Sequence, residues 1–389
     1  MDSINARSSE TVSLAKIAYG FLKLGTIAFG GPAAHIAMME EEFVRQRGWL
    51  TEGEFLDRLA TANLIPGPSS TELAIFIGYS KRAWAGLIVA GCCFIFPAAV
   101  LVTLIAAAYV RYGALPQMAG MLYAIKPAVI AIIIQALSKL ARTAAKTKLL
   151  AGIAAAAFLL NLYGLNPLLV LVISGILAGI VGWKKQGSSV GGFFAATNRK
   201  WILAGVAAVG TTALAAPVSL NRLFLSFLKI GSVVFGSGYV LLAFLRAEFI
   251  AKLHWLTEKQ LIDAVAVGQF TPGPVFTTAT FIGYLVAGLP GAVVATVGIF
   301  LPGFLLVALS GPVIPRLRRS TLFGSVLDGV VAGSLALMAV VCWQLARAAI
   351  VDFRTVAIMV VSAITLLRFR INSAWLIAAA AFLGWFVKA

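Results

Sequence analysis

The chain is written twice. Phe21-Leu22-Lys23-Leu24-Gly25 returns 206 positions later as Phe227-Leu228-Lys229-Ile230-Gly231, and Phe29-Gly30 returns as Phe235-Gly236. In the same frame Glu42-Phe43 matches Glu248-Phe249, Trp49-Leu50-Thr51-Glu52 matches Trp255-Leu256-Thr257-Glu258, and Pro66-Gly67-Pro68 matches Pro272-Gly273-Pro274. After a one-residue gap Phe76-Ile77-Gly78-Tyr79 pairs with Phe281-Ile282-Gly283-Tyr284, and Leu140-Ala141-Arg142 with Leu345-Ala346-Arg347. A duplication on this scale means that one structural unit must be solved twice and the two solutions must fit each other.

Composition says in which solvent. Apolar side chains make up 61% of the 389 residues and charged ones 12%, against about 25% charged in soluble domains. The charges cluster between apolar runs of about 17 to 25 residues, the length that spans a bilayer as a helix. In the first copy these runs cover 12–37, 58–80, 84–110, 118–138, 149–164 and 167–183. One further run, Trp201 to Pro217, lies between the copies. Residues 12–183 and 220–389 are thus expected as two repeats, joined by a linker over 184–219 that holds a spacer helix. Six crossings return a chain to its starting side, so one spacer makes the second copy enter from the other side. The expected fold is an all-α integral membrane protein with two inverted-topology repeats and broken helices at their interface.

Charge placement agrees with 13 spans and a cytoplasmic N-terminus. Lys81/Arg82, Lys139/Arg142/Lys146/Lys148, Lys184/Lys185, Arg316/Arg318/Arg319 and Arg368/Arg370 then fall inside, as the positive-inside rule requires. The net charge of +17 is a matter of topology, and no exposed basic face with aromatics invites nucleic acid. Met1 to Ser13 is polar, so the first span is expected to insert without cleavage. Cys92, Cys93 and Cys342 lie in apolar runs and are expected to be buried small hydrophobes.

The residues that interrupt helices carry the chemistry, because bilayers tolerate unpaired backbone only where it lines a cavity or is buried in protein. Thr51 with Glu54, and Thr257 with Gln260, predict capping boxes that open two helices. Each helix then meets a proline-glycine-proline sequence that must end or kink it. A second half-helix begins there, at Ser69-Ser70-Thr71 or Val275-Phe276-Thr277-Thr278, with Pro68 and Pro274 suited to its start. Free amides, a partial positive charge and hydroxyls at such a start suit an anion. Phe29-Gly30-Gly31-Pro32 and Phe235-Gly236-Ser237-Gly238 form the second type of break, where glycine permits positive φ or close backbone approach. The candidate binding residues are therefore Gly30, Gly31, Pro66, Gly67, Pro68, Ser69 and Thr71 in the first copy. In the second copy they are Gly236, Gly238, Gln269, Thr271, Pro272, Gly273, Pro274 and Thr277. Lys23 and Lys229, set in apolar runs, offer positive charge or else snorkel to the surface. The repeated Glu42/Glu248 hints at ion pairing, and His35 and Glu72 are candidates for proton coupling.

No phosphate-binding Gly-x-x-x-x-Gly-Lys-Ser/Thr loop, metal-ligand spacing or nucleophile-His-acid arrangement is visible, so neither an enzyme nor a cofactor is expected. The motifs Phe21-Leu22-Lys23-Leu24-Gly25, Phe29-Gly30-Gly31-Pro32, Ala33-Ala34-His35-Ile36, Glu42-Phe43, Trp49-Leu50 and Pro66-Gly67-Pro68, with their echoes, resemble the chromate ion transporter family in its long, two-domain form. The resemblance implies export of chromate from the bacterial cytoplasm through the plasma (inner) membrane, coupled to the proton-motive force as an antiporter. It differs from the family pattern at Asn63, where a glutamine is usual and the second copy has Gln269, and at Glu72, whose ionised form would repel a dianion. Sulfate has the same shape and charge, so sulfate or another anion is an alternative substrate; a gated anion channel or an anion sensor are alternative functions. With the interior about 100 mV negative, expelling a dianion gains roughly 4.6 kcal/mol, enough for a gradient of about three decades. Lipids and a small inorganic oxyanion are the expected partners, nucleic acid is not, and pairing as a homodimer stays open.

Overall fold

The computed structural model describes residues 12–113, 116–185, 218–235, 238, 240–310, 320–369 and 371–386. Among them there is no strand, and the spacer segment Trp201 to Pro217 lies outside them. In the first copy Ser13 caps α1 (Leu14–Ile27) by accepting from the Lys16 amide. Gly30 and Gly31, at φ 105° and 78°, then turn the chain into α2 (Pro32–Glu40). That helix loosens into a π-helical turn over Glu41–Gln46. The expected first run 12–37 is therefore two helices joined at the double glycine. The Thr51/Glu54 capping box forms and opens α3 (Glu52–Ala62), which stops short of Pro66. Then follow α4 (Ser69–Tyr112), α5 (Pro116–Ala144), α6 (Lys148–Leu162) and α7 (Pro167–Lys185).

The second copy repeats this order as α8 (Leu220–Val233), α9 (Leu241–Leu245) with a π-helical turn over Arg246–Lys252, and α10 (Glu258–Phe270) behind the Thr257/Gln260 box. A short 3-10 turn, Val275–Thr277, leads into α11 (Thr278–Ser310). The chain ends in α12 (Thr321–Ala349), α13 (Phe353–Phe369) and α14 (Ser373–Phe386). Twin aromatic pairs hold each first helix to its π-turn: Phe21 to Phe43 at 4.7 Å and Phe227 to Phe249 at 4.8 Å between ring centres.

Both long helices α4 and α11 reverse direction within their length. Non-helical backbone at Arg82 and Ala83 (φ 46°), and at Ala287 and Gly288 (φ 61°), folds each back on itself. Gly78 then faces Gly86, and Gly283 faces Gly291, so closely that a Cβ on any of the four would overlap the opposite backbone. The 69–81 half spans about 20 Å at 1.5 Å per residue, too short to cross a hydrocarbon core of about 30 Å. The 84–112 half is long enough. By length and composition Ser69–Tyr112, Met118–Ala144, Val275–Leu309 and Leu322–Ala349 qualify as membrane-crossing helices. Trp84, Ile88, Phe96 and Leu104 on α4, and Leu289, Val293, Val297 and Leu305 on α11, form an exposed apolar exterior that fits lipid rather than water. Cys342 is buried as expected, but Cys92 is exposed and Cys93 partly so. Adjacent helix positions diverge, and position 92 belongs to the outward stripe of α4.

The two copies interlock. α4 packs along α11, α5 lies against α13 and α14 of the other copy, and α12 lies against α6 and α7 in return. The exchange is residue for residue: Gly179 on α7 meets Val326 on α12, and its twin Gly384 on α14 meets Met121 on α5.

Candidate functional site

The proline-glycine-proline breaks meet the other copy through backbone hydrogen bonds. Gly67 donates its N–H to the carbonyl of Val234 at 2.7 Å, and Gly273 donates to the carbonyl of Ala28 at 3.0 Å. Ala28 and Val234 are twins, each just after the first helix of its copy. The two bonds are reciprocal: each break donates to the residue just after the other copy's first helix. Both glycines have positive φ, 133° and 86°, and a Cβ on Gly273 would stand 2.7 Å from that of Ala98. Pro66, Pro68, Pro272 and Pro274 fix the flanking backbone.

Around this shared frame the first copy carries His35 and Ser70 where the second carries apolar residues. His35 is buried, with Nε2 3.1 Å from the Ala28 carbonyl. A carbonyl only accepts, so Nε2 carries the hydrogen and Nδ1 accepts from the Ser70 hydroxyl at 3.2 Å. The Ala28 oxygen therefore receives both His35 and Gly273. At the twin positions of His35 and Ser70 stand Leu241 and Phe276, both buried. Glu72 is 1% exposed and its carboxylate fills the space beside Gly67 and under Gly303, where a Cβ would be 2.8 Å from Oε1. Ala98 occupies the place of Gly303 in the other copy, so this room exists once. Glu72 Oε2 and Thr71 Oγ1 have no hydrogen-bond partner among the described residues.

The second copy's hydroxyls are engaged. Thr271 donates to Val267 O at 2.9 Å, and Thr277 to Pro274 O at 2.8 Å. A hydroxyl has one hydrogen, so in this conformation neither has one for an anion. Gln269 is buried on the last turn of α10, and Gly238 lies 3.7 Å (from a built Cβ) from Val275. Gly236 falls outside the described residues. The two lysines are answered by their own copies. Lys23 pairs with Glu42 at 2.7 Å, which also holds Arg47 at 2.6 Å; Lys229 pairs with Glu248 at 3.0 Å, which also holds Lys252 at 2.9 Å. Partial burial works against the Glu42 charge, yet the hydrogen bonds from Lys23 and Arg47 hold its carboxyl below the usual range. The π-helical turns supply this geometry, and the repeated glutamates are ion-pair partners.

Positive charge enters from a different helix. A cavity of about 910 Å³ is lined by Gly30 and Pro32 at the first break, Asn63 and Ser69 at the second, Ser138, Lys139, Arg142 and Thr143 on the last turns of α5, and Asn372 and Ser373 before and at the start of α14. Among the described residues no carboxylate lines it. Three helices, α2, α4 and α14, begin at its wall, and Asn372 caps the last by accepting from the Ala374 amide at 3.0 Å. Helix starts and two cations around one space favour an anion. Gly31 sits between Gly30 and Pro32 as the N-cap of α2. Of the candidates, then, Gly30 and Ser69 reach the cavity. Gly67, Thr71 and Glu72 lie behind it at the contact between copies, and Lys23 and Lys229 are paired elsewhere. Lys139 and Arg142 escaped the sequence reading because topology accounted for them. The recurrence of Arg142 as Arg347 was the available signal.

An interlocked pair of helical repeats, with broken helices around a cation-lined cavity and an apolar exterior, defines a multi-pass membrane protein equipped to handle a small anion. Comparison with known sequences gives the family. The chain belongs to the chromate transporter family, whose profile matches residues 15–183 and 221–385. It is 33% identical to the chromate transport protein of Cupriavidus metallidurans, over 98% of this chain and 94% of that one. It is 31% identical to a probable chromate transport protein of Synechococcus elongatus, over 91% and 90%, and 28% identical to the chromate transport protein of Pseudomonas aeruginosa, over 84% and 80%. No solved structure matches it.

Proposed function

We propose that this protein is a secondary transporter that exports chromate, or a related tetrahedral oxyanion, from the cytoplasm across the bacterial inner membrane. The observation that carries this reading is the cavity: Lys139 and Arg142 face three helix starts with no acid among the lining residues. The names of the relatives supply the substrate. Charge-assisted hydrogen bonds contribute about 1.5–3 kcal/mol each, so the two cations with Ser69 can hold a dianion without trapping it. The membrane potential favours outward movement of negative charge.

The copies are inverted repeats in this reading, and the reciprocal Gly67–Val234 and Gly273–Ala28 bonds form the frame about which they rock. His35 acts as a clamp on that frame, since both its nitrogens are engaged. Glu72 is a buried carboxyl one helical turn from Ser69: ionised, it would repel a dianion held there, and neutral, it admits one. Its proton thereby links oxyanion binding to pH.

The test is flux of labelled chromate and sulfate in proteoliposomes under an imposed potential. Chromate is expected to move toward the positive side at carrier-like turnover, and to compete with sulfate. Absence of flux for chromate, sulfate and molybdate alike would overturn the reading, and single-channel currents would replace a carrier by a channel.

A further inference from the structure

One carboxylate outside the cavity lining is buried against the other copy. Asp263 on α10 is 0% exposed. Its Oδ2 accepts from the Tyr109 hydroxyl of α4 at 2.9 Å, and its Oδ1 lies 3.5 Å from Lys126 Nζ of α5. Lys126 is itself buried. The acid thus comes from the second copy and both partners from the first. Asp57, the twin of Asp263, is exposed, and the twin of Lys126 is Val331, so the cluster exists once in the molecule.

Stability does not call for such a cluster. A buried ion pair is commonly no better than apolar residues of similar size, and Val331 shows that the twin position does without a charge. Ionisable groups enclosed by a membrane protein instead mark ion or proton paths. The placement fits that use. α10 leads into Pro272-Gly273-Pro274, α4 begins with Ser69 on the cavity wall, and α5 ends with Lys139 and Arg142. Pro127 follows Lys126 directly inside α5, and proline there removes a helix hydrogen bond and permits bending beside the charge.

We propose that the Asp263–Lys126–Tyr109 cluster is a proton-binding site, distinct from the oxyanion cavity, whose protonation unlocks the two copies during transport. The proposal rests on the transport reading. A hydronium ion from the aqueous phase gives its proton to the Asp263 carboxylate, forming an O–H bond and leaving a water molecule; the carboxyl becomes neutral while Lys126 keeps its ammonium charge. The cation then has no counter-charge and must gain water, which parts α5 from α10 and carries Lys139 and Arg142 with it. Loss of the proton restores the pair and closes the contact. The groups facing Asp263 are Lys126 from α5 and Tyr109 from α4, with Lys259 one turn earlier on α10. The π-helical turn Arg246–Lys252 also packs on α10 and brings Arg246, which is paired with Glu258 at 2.6 Å; α11, α12, α14 and the turn Val275–Thr277 bring Asp263 no further charge among the described residues.

The experiment measures chromate flux and internal pH together in proteoliposomes of the full chain. It uses the wild type, Asp263→Glu, and the double variant Asp263→Asn/Lys126→Met, which strands no buried charge. Chromate binding is followed separately by calorimetry. The double variant is expected to bind chromate as the wild type does, while the proton movement accompanying flux falls by about tenfold, within the usual range for coupled sites. Its flux should keep only the pH dependence that Glu72 gives to chromate binding, and Asp263→Glu should keep the wild-type proton movement and pH profile. Wild-type proton movement in the double variant would overturn the proposal, as would loss of proton movement in Asp263→Glu matching that of the double variant. Chromate flux without protons in the wild type would overturn it too and leave the transport reading standing. A wild type that moves no oxyanion would instead remove the reading on which the proposal rests.

Discussion

Four consecutive residues at the start of α4 meet different surroundings. Ser69 lines the cavity, Ser70 is bound to His35, and Thr71 and Glu72 are buried with polar atoms left over. Burying an ionised carboxylate without a partner is far costlier than burying the neutral acid, and Glu72 Oε2 has no hydrogen-bond partner among the described residues. If its charge opposes the anion, chromate affinity in the wild type falls as pH rises and Glu72 ionises. In Glu72→Gln the affinity should stay flat and high. Calorimetric titration across pH checks this, and a parallel fall in the variant would remove Glu72 from the mechanism. Glu72 stood out in the sequence as a departure from the family pattern, because its ionised form would repel a dianion. Lys23 and Lys229 stood out for being charges in apolar runs, but their partners lie 19 positions away, in turns whose π-helical form no local pattern announces. Asp263 went unremarked because its twin Asp57 carries the same letter at an exposed position.

At the scale of elements, the breaks are where substitution is least forgiving. Gly273 and Gly288 both have positive φ, 86° and 61°, so an alanine is strained at either, by about 1–2 kcal/mol. They differ in surroundings: a Cβ at Gly273 meets Ala98, whereas nothing lies within 4 Å at Gly288. Gly288→Ala should lower thermal stability in detergent slightly and leave flux intact. Gly273→Ala should push the break off α4, lose the bond to Ala28 and abolish most flux. Equal behaviour of the two variants would show that the break is an ordinary kink. These elements were largely legible beforehand. Capping boxes and prolines placed the starts of α3, α4, α10 and the turn before α11, and the double glycine placed the end of α1. The reversals at Arg82–Ala83 and Ala287–Gly288 fell at the gap between the expected runs 58–80 and 84–110, although that they are tight enough to bring Gly78 onto Gly86 depends on packing.

The whole molecule is held by exchanges between copies, and these were the least legible part. The bonds of Gly67 and Gly273 use main-chain groups of Val234 and Ala28, which leave no side-chain signature. The exchange of α5 and α12 between copies buries apolar faces that any neighbouring helix could have covered. One consequence is that neither copy completes its own core. Residues 1–185 and 186–389 produced separately should each fail to accumulate in membranes. Produced together, they should copurify in detergent, and stable accumulation of either alone would contradict the interlocked arrangement. The cavity is a product of the same exchange, since α5 belongs to the first copy and Asn372 and Ser373 to the second. Its role is the central claim, and chromate binding and flux by a Lys139→Gln/Arg142→Gln variant test it most directly. Loss of two charge-assisted contacts, each about 1.5–3 kcal/mol, should weaken binding by about two orders of magnitude or more and reduce flux in proportion, with the fold preserved. Wild-type binding and flux in that variant would contradict the account.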